Sequence, residues 1–399
     1  MPERQPFRVA AVQAAPVFLD RDATLEQACG LAATAASQGA RLIVFPEVFV
    51  SGYPDWVWSV PPRERAMIDG LYAELVESAV EVPGPATARL GDAARAAGAY
   101  LVIGVNERNV EASGTSLFNT LLIFDPAGGL IGRHRKLIPT GGERLMWAPG
   151  DGSTLAVHDT PLGRLGGLIC WENYMPLARY ALYAWGAQIH VAATWDRGEP
   201  WLSSMRHIAK EGRLYVISCC QAIRRDDVPD RYEFKRFYPP GREWINAGDS
   251  VIVDPDGQVL AGPLHQKQDI LYAELDPRRM VGPRWMLDVA GHYARPDVFD
   301  FAVRRVPREI VRDAAASDPE PAAAAAAGPR SRRGPAGAAS ARRAPGSSKA
   351  RRASAAGALR GGASKPMASR GSPRRAPAAT RRRTTRRTTR GTARAPGRG

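Results

Sequence analysis

Along the first three quarters of the chain, the spacing of apolar residues switches repeatedly between strand-like and helix-like periods. Phe7 to Val12 is a short β-rich run, and between Thr24 and Ser37 the residues Leu25, Ala28, Leu31, Ala32 and Ala35 recur at helical spacing. Arg41 to Phe45 is a nearly continuous apolar run between Gly39 and Pro46, the pattern of a strand buried on both faces. Pro85 to Ala97 predicts a helix with proline in its first turn and Gly98 ending it, and Tyr100 to Val105 returns to strand. This alternation predicts sheets with helices packed outside them.

One pattern occurs twice. Leu121-Leu122-Ile123-Phe124-Asp125-Pro126-Ala127-Gly128 is echoed by Ser250-Val251-Ile252-Val253-Asp254-Pro255-Asp256-Gly257, and a second apolar run follows each. Aspartate and proline start a tight turn and glycine supplies a positive φ, so both segments predict hairpins. Hairpins at corresponding places point to two related sheets, although the same turn is also a common local way to reverse a strand.

Charge separates the chain into two parts. The 399 residues carry a net charge of +15, but no acidic residue follows Glu320 while 21 of the 55 Lys and Arg lie beyond it. The first 320 residues therefore hold 34 basic against 40 acidic side chains, a net charge of −6, and the basic character belongs to the tail. From about Asp313 onward the composition is dominated by Ala, Gly, Pro, Ser, Thr and Arg, with almost no large apolar side chains. Such a segment buries too little apolar surface to offset a chain entropy of roughly 1–2 kcal/mol per residue. The expectation is a catalytic domain over residues 1–312 and a disordered tail over 313–399. Clustered arginines such as Arg381 to Arg383 allow at most a non-specific contact with nucleic acid, because no aromatics are interleaved for stacking. Neither a secretory signal nor a run of ~20 uncharged apolar residues is found, so a soluble cytoplasmic protein is expected. The four cysteines, Cys29, Cys170, Cys219 and Cys220, lack metal-ligand spacing and read as reduced thiols.

Cys170 has a distinctive setting. The apolar run Leu165 to Ile169 ends at it, and Pro176 to Trp185 then reads as a helix. A cysteine at such a junction is expected to be exposed at the sheet's edge, with turn N–H groups ready to bind a developing negative charge. Alone, Cys170 would read as a core thiol. Glu47 follows the strand Arg41 to Phe45 in Phe45-Pro46-Glu47, and Lys136 follows the first hairpin in Arg133-His134-Arg135-Lys136. Each has an ordinary alternative as well, a helix or loop cap for Glu47 and a solvated charge for Lys136.

Together and in this order, the three resemble the Glu, Lys, Cys catalytic set of the nitrilase superfamily. The motifs Cys170-Trp171-Glu172-Asn173 and Lys136-Leu137-Ile138-Pro139-Thr140-Gly141-Gly142-Glu143-Arg144 resemble its true nitrilase branch, and the likeness extends over residues 7–305. The resemblance implies a four-layer αββα sandwich, no metal and no organic cofactor, and subunits that pair through helices into a homodimer or a larger spiral homo-oligomer. The six histidines, at 134, 158, 190, 207, 265 and 292, show no metal-binding pattern.

The activity implied is hydrolysis of a nitrile to a carboxylic acid and ammonia. Glu47 would be general base, Cys170 nucleophile, and Lys136 a cation that stabilises the developing nitrogen anion and that burial can retune. The resemblance also implies that Glu143 orients Lys136 or the water, with an ordinary loop pairing to Arg144 as the alternative. Trp171 would lend its backbone N–H to the intermediate. Tyr53, Thr194 and Trp195 are candidate pocket walls, and Trp56, Trp58 and Trp201 are further aromatics that permit an apolar substrate. An amidase or N-carbamoyl hydrolase with the same triad is the enzymatic alternative. A polyanion-binding scaffold is the non-enzymatic one.

Overall fold

The computed structural model describes residues 5–309, and the expected disordered tail with its boundary at 313 lies outside these. The first half runs β1 (Phe7–Gln13), α1 (Arg21–Ser37), β2 (Ala40–Val44), α2 (Trp56–Ser59), α3 (Arg65–Glu77), α4 (Pro85–Ala97), β3 (Tyr100–Arg108), β4 (Leu117–Phe124) and β5 (Leu130–Arg135). The second runs β6 (Val157–His158), β7 (Leu165–Ile169), α5 (Pro176–Ala184), β8 (Ile189–Thr194), α6 (Glu199–Gly212), β9 (Tyr215–Cys220), β10 (Ala222–Arg224), β11 (Trp244–Val253), β12 (Val259–His265) and β13 (Asp269–Leu275). No helix among the described residues is long and apolar enough to cross a membrane.

The strands form two sheets of the same design. In one, β1, β2 and β3 are parallel and β4 and β5 continue antiparallel; in the other, β7, β8 and β9 are parallel, then β11 and β12 continue antiparallel. The last strand, β13, returns to the first sheet and pairs antiparallel with β1.

The hairpin echo is reproduced atom for atom. Asp125 Oδ1 accepts from the Ala127 and Gly129 nitrogens at 2.9 and 2.8 Å, and Asp254 Oδ1 accepts from those of Asp256 and Gln258, both at 2.9 Å. Gly128 and Gly257 have φ of 86° and 81°, the left-handed region in which a side chain is strained.

Alternation along each strand sorts the side chains into three cores. Val9, Val44 and Val102 from the first sheet meet Ile169, Val191 and Ile217 from the second between the sheets. Ala10, Ile43 and Leu101 face outward against Leu25 and Ala28 of α1 and Leu90 of α4. On the far side Leu168, Ala192 and Val216 pack against Leu182 of α5 and Met205 of α6. The result is the αββα sandwich.

Two differences from the sequence reading have local causes. Helix α1 starts at Arg21, one polar turn before the apolar spacing begins, because the Asp20 carboxylate caps it through the Ala23 nitrogen at 3.0 Å; such caps contribute about 1 kcal/mol. Helix α3 escapes the periodicity because it buries only Leu71 and Leu75.

Candidate active site

Three strand ends carry the three candidate residues to one place. Past β2 the chain turns back over β3: the Gly104 nitrogen donates to the Pro46 carbonyl at 3.1 Å, and the Val50 nitrogen to the Gly104 carbonyl at 3.1 Å. Glu47 sits in this turn. The backbones lie so close that a Cβ on Gly104 would come within 2.3 Å of the Val48 nitrogen and 2.4 Å of the Pro46 oxygen. From the second sheet's side, Gln221 Nε2 donates to the Glu47 carbonyl at 2.7 Å.

Gly104→Ala therefore has to push the Glu47 turn away from β3. A displacement of about 1 Å lowers kcat roughly 10²-fold, and overpacking of this kind costs about 1–3 kcal/mol of stability. Steady-state kinetics combined with thermal unfolding test this. A folded Gly104→Ala enzyme with unchanged kcat would show that the turn does not set the position of Glu47.

Lys136 lies one residue beyond β5, where its nitrogen still pairs with the Asn119 carbonyl at 2.8 Å. Its ammonium donates to Glu47 Oε1 and to Glu143 Oε2, both at 2.7 Å, and all three side chains are buried. Asn119 Nδ2 donates to the same Glu47 Oε1 at 2.6 Å. Glu47 Oε2 is buried and has no hydrogen-bond partner among the described residues.

Glu143 is held in turn by the Thr140 nitrogen at 2.7 Å and by the Tyr53 hydroxyl, which donates to Oε1 at 2.7 Å and accepts from Trp58 Nε1 at 3.1 Å. The pairing with Arg144 considered above does not form, since Arg144 donates to the Pro139 carbonyl instead. Glu47 and Lys136 likewise depart from their ordinary alternatives, because neither a solvated charge nor a surface cap is buried in this way.

Cys170 follows β7 with φ of 51°, a strained conformation for a residue with a side chain. It is 4% exposed, so the expectation of a thiol exposed at the sheet's edge is corrected. The reason is that β7 ends inside the sandwich, where Cys170 joins the core between the sheets. The strained turn is pinned by the two residues that complete its motif. Asn173 Nδ2 donates to the Cys170 and Leu168 carbonyls at 2.9 and 3.1 Å, and Glu172 accepts from the Ile169 nitrogen at 2.7 Å.

Burial and the surrounding charges set the protonation states. Burial, reinforced by the Glu47 and Glu143 carboxylates, raises the Cys170 pKa well above its ordinary value despite Lys136 and the Thr194 hydroxyl, so the resting group is a neutral thiol. Burial also raises Glu47, and Glu143 adds to this while Lys136 opposes it; the carboxylate becomes a stronger base. For Lys136, burial pulls the pKa down but the negative charges of Glu47 and its neighbours more than reverse the effect. The surroundings thus retune the lysine upward and favour its charged form. Two of its three donors are taken by carboxylates, and the ammonium stands 5.7 Å from the centre of the Trp147 ring.

The other aromatic candidates are dispersed. Tyr53 and Trp195 stack at 4.2 Å with rings 5° from parallel, and the Thr194 hydroxyl accepts from the Asp196 nitrogen at 2.8 Å. The Trp171 ring is half exposed and donates to Asp196 at 2.8 Å, so it stands at the surface. Trp201, on α6, is buried in the outer core, where it donates to Ser218 and packs edge-on against Tyr174.

Sequence reasoning did not single out Gly104, Asn119 or Gln221. A glycine within a predicted strand signals close backbone approach, and this was the available clue for Gly104. Asn119 is a polar residue inside the apolar run of β4, a comparable clue, whereas Gln221 carries no local one.

The matches to known proteins agree with this geometry. The carbon-nitrogen hydrolase family model matches residues 8–282. An aliphatic nitrilase of Sinorhizobium fredii (strain HH103) is 44% identical over 311 residues, covering 76% of this chain and 98% of that protein. Nitrilase 1 of Arabidopsis thaliana is 42% identical over 311 residues, covering 76% and 88%. Among solved structures, Saccharomyces cerevisiae Nit3, a member of branch 10 of the nitrilase superfamily, superimposes with a TM-score of 0.56 at 23% identity over 72% of this chain and 97% of that one. At that identity the likeness speaks for the fold alone. The chain belongs to the carbon-nitrogen hydrolase family, within its nitrilase branch.

Proposed function

We propose that this chain hydrolyses an organic nitrile to the carboxylic acid and ammonia through covalent intermediates on Cys170. The observation that carries the assignment of roles is the buried Glu47 Oε2 without a partner, beside a carboxylate oxygen already held by Lys136 and Asn119. A buried polar atom without a partner calls for an explanation, and a catalytic role is one. Here one oxygen fixes the group and the other is left to act as base.

In this reading the thiol gives its proton to Glu47 as sulfur bonds to the nitrile carbon, and one C–N π bond moves onto nitrogen. Lys136 faces the resulting negative charge, and the proton taken up by Glu47 passes to the nitrogen, giving a thioimidate. Water, deprotonated by Glu47, then adds to the same carbon. The C–N bond breaks, ammonia leaves with the protons, and a thioester remains. A second water cleaves the carbon–sulfur bond, releasing the acid and restoring the thiol. Glu143 holds Lys136 against Glu47 throughout. The stacked Tyr53 and Trp195, together with Thr194, are proposed as pocket walls, with Trp171 contributing its backbone N–H. We further propose that residues 1–312 form the complete catalytic domain and that subunits associate through their helices into homo-oligomers.

The test is release of acid, amide and ammonia from a panel of nitriles and their matched amides, run in parallel on the full chain and on a chain ending at Arg312. Nitriles should be turned over to acid by both, and light scattering of each should show species larger than one chain. Faster release of ammonia from the amides than from the nitriles would instead make the chain an amidase. Loss of turnover in the shortened chain would move the catalytic boundary into the tail.

A further inference from the structure

Glu172 and His134 form a buried pair that touches none of Glu47, Lys136 or Cys170 through its side chains, yet its bonds reach the backbone beside two of them. The Glu172 carboxylate accepts from the nitrogen of Ile169, the residue before Cys170, at 2.7 Å. It also accepts from the nitrogen of Leu137, the residue after Lys136, at 2.6 Å. His134 Nε2 lies 3.2 and 3.0 Å from the two carboxylate oxygens. His134 stands two positions before Lys136 on the same strand run, so both side chains leave the first sheet on the same face. One carboxylate in the second sheet therefore grips the lysine-bearing end of the first.

We propose that the Glu172–His134 pair is a positioning element that fixes the separation of the Cys170 turn from the Lys136 strand end, and so the alignment of thiol and ammonium on the nitrile. The proposal rests on the catalytic roles assigned above. Its chemistry requires a carboxylate at position 172. The Leu137 nitrogen bonds Oε1 and the Ile169 nitrogen bonds Oε2, so a donor arrives at each oxygen. A glutamine of the same shape must turn its NH2 toward one of these N–H groups, and it loses either the link to the lysine strand or the link to the cysteine turn. A group whose only task was to fill space would tolerate that exchange.

The charge states agree with the geometry. Burial raises the Glu172 pKa, but His134 and the two backbone donors outweigh it and leave the carboxylate below its ordinary value. Burial lowers that of His134, and Glu172 reverses this. His190 lies near Glu172, and burial together with Arg179 pushes it down to about 3, so it is neutral.

The experiment compares Glu172→Gln, His134→Gln and, as a matched control, Glu107→Gln. Glu107 is also a buried carboxylate; it bonds the side chains of Arg133 and Arg135 on the Lys136 strand but, among the described residues, makes no bond to the Cys170 turn, so it does not set the separation of the two. Glu172→Gln should lower kcat by about 10–10²-fold, as expected for a displaced rather than deleted catalytic group, with KM changed less than about threefold since both carboxylate oxygens are bonded to protein donors. His134→Gln leaves Glu172 buried without its cation. Its carboxylate should then take up a proton nearer neutrality, and activity should fall toward low pH at a higher pH than in the wild type. Glu107→Gln should keep kcat. Wild-type kcat and pH profiles in folded Glu172→Gln and His134→Gln would overturn the proposal. Equal kcat losses in all three variants would also overturn it, as would failure of both pair variants to fold by circular dichroism, since the pair would then serve stability alone. If Cys170→Ala proved active, the catalytic reading itself would fall, which is a separate result.

Discussion

Replacing Cys170 with alanine should reduce nitrile turnover to the uncatalysed background, a loss on the order of 10⁶-fold as for other deleted nucleophiles, while the fold survives. The methyl group cannot form the thioimidate. Cys170→Ser should be nearly as inactive, because an alcohol is far harder to deprotonate than a thiol and Glu47 is only a carboxylate base. Removal of the sulfur should cost little stability, since the Cys170 turn is held by Asn173 and Glu172 through backbone atoms. The controls are the other two buried cysteines. Cys219 donates to the Val12 and Val44 carbonyls at 3.2 and 3.3 Å, so it bonds the two sheets together and has no part in the proposed chemistry. Cys219→Ala and Cys220→Ala should therefore lower the melting temperature and keep kcat. Activity in folded Cys170→Ala, with loss in either control, would transfer the nucleophile to another residue.

The parts of this molecule that were legible in its sequence are those whose cause is local. Asp125 and Asp254 each carry their turn's hydrogen bonds within four residues, so the hairpins could be read from Asp-Pro-x-Gly alone, while the relation between the sheets was only suggested by the repeat and needed the strand pairing to establish it. Pro85 and Gly98 bound α4 for equally local reasons. The catalytic set was legible in a different way, through its likeness to a family, because Glu47, Lys136 and Cys170 are far apart along the chain and each has an ordinary meaning alone. What could not be read was anything set by contact between the sheets: the burial of Cys170, the grip of Gln221 on Glu47, and the link from Glu172 to the Lys136 strand. The direction of the Lys136 shift belongs here too. Burial alone predicts a weaker ammonium, and only the arrival of two carboxylates from different loops reverses the sign.

That reversal shapes what Lys136→Met should do. Methionine fills much of the same volume but removes the cation bonded to both buried carboxylates, Glu47 and Glu143. Two effects follow from this, and they differ in what they change. In the transition state the charge that develops on nitrogen loses its partner, which should lower kcat by roughly 10²–10³-fold or more. In the free enzyme the two carboxylates lose their counter-charge, an uncompensated burial that costs about 3–5 kcal/mol of stability. Part of that cost is relieved if one of them binds a proton, and a protonated Glu47 can no longer take the proton of Cys170, so the stability effect feeds back on kcat. KM should change less, because a neutral nitrile gains little from the ammonium before attack. The measurements are kcat and KM at several pH values, with circular dichroism and thermal unfolding on the same preparations. If kcat recovered fully as the pH was raised to restore the Glu47 carboxylate, Lys136 would serve only to keep the base ionised. A pH-independent loss in a folded variant would locate its role at the nitrogen. A folded Lys136→Met enzyme with nearly normal kcat at all pH values would rule out the three-residue mechanism, even with Cys170 essential.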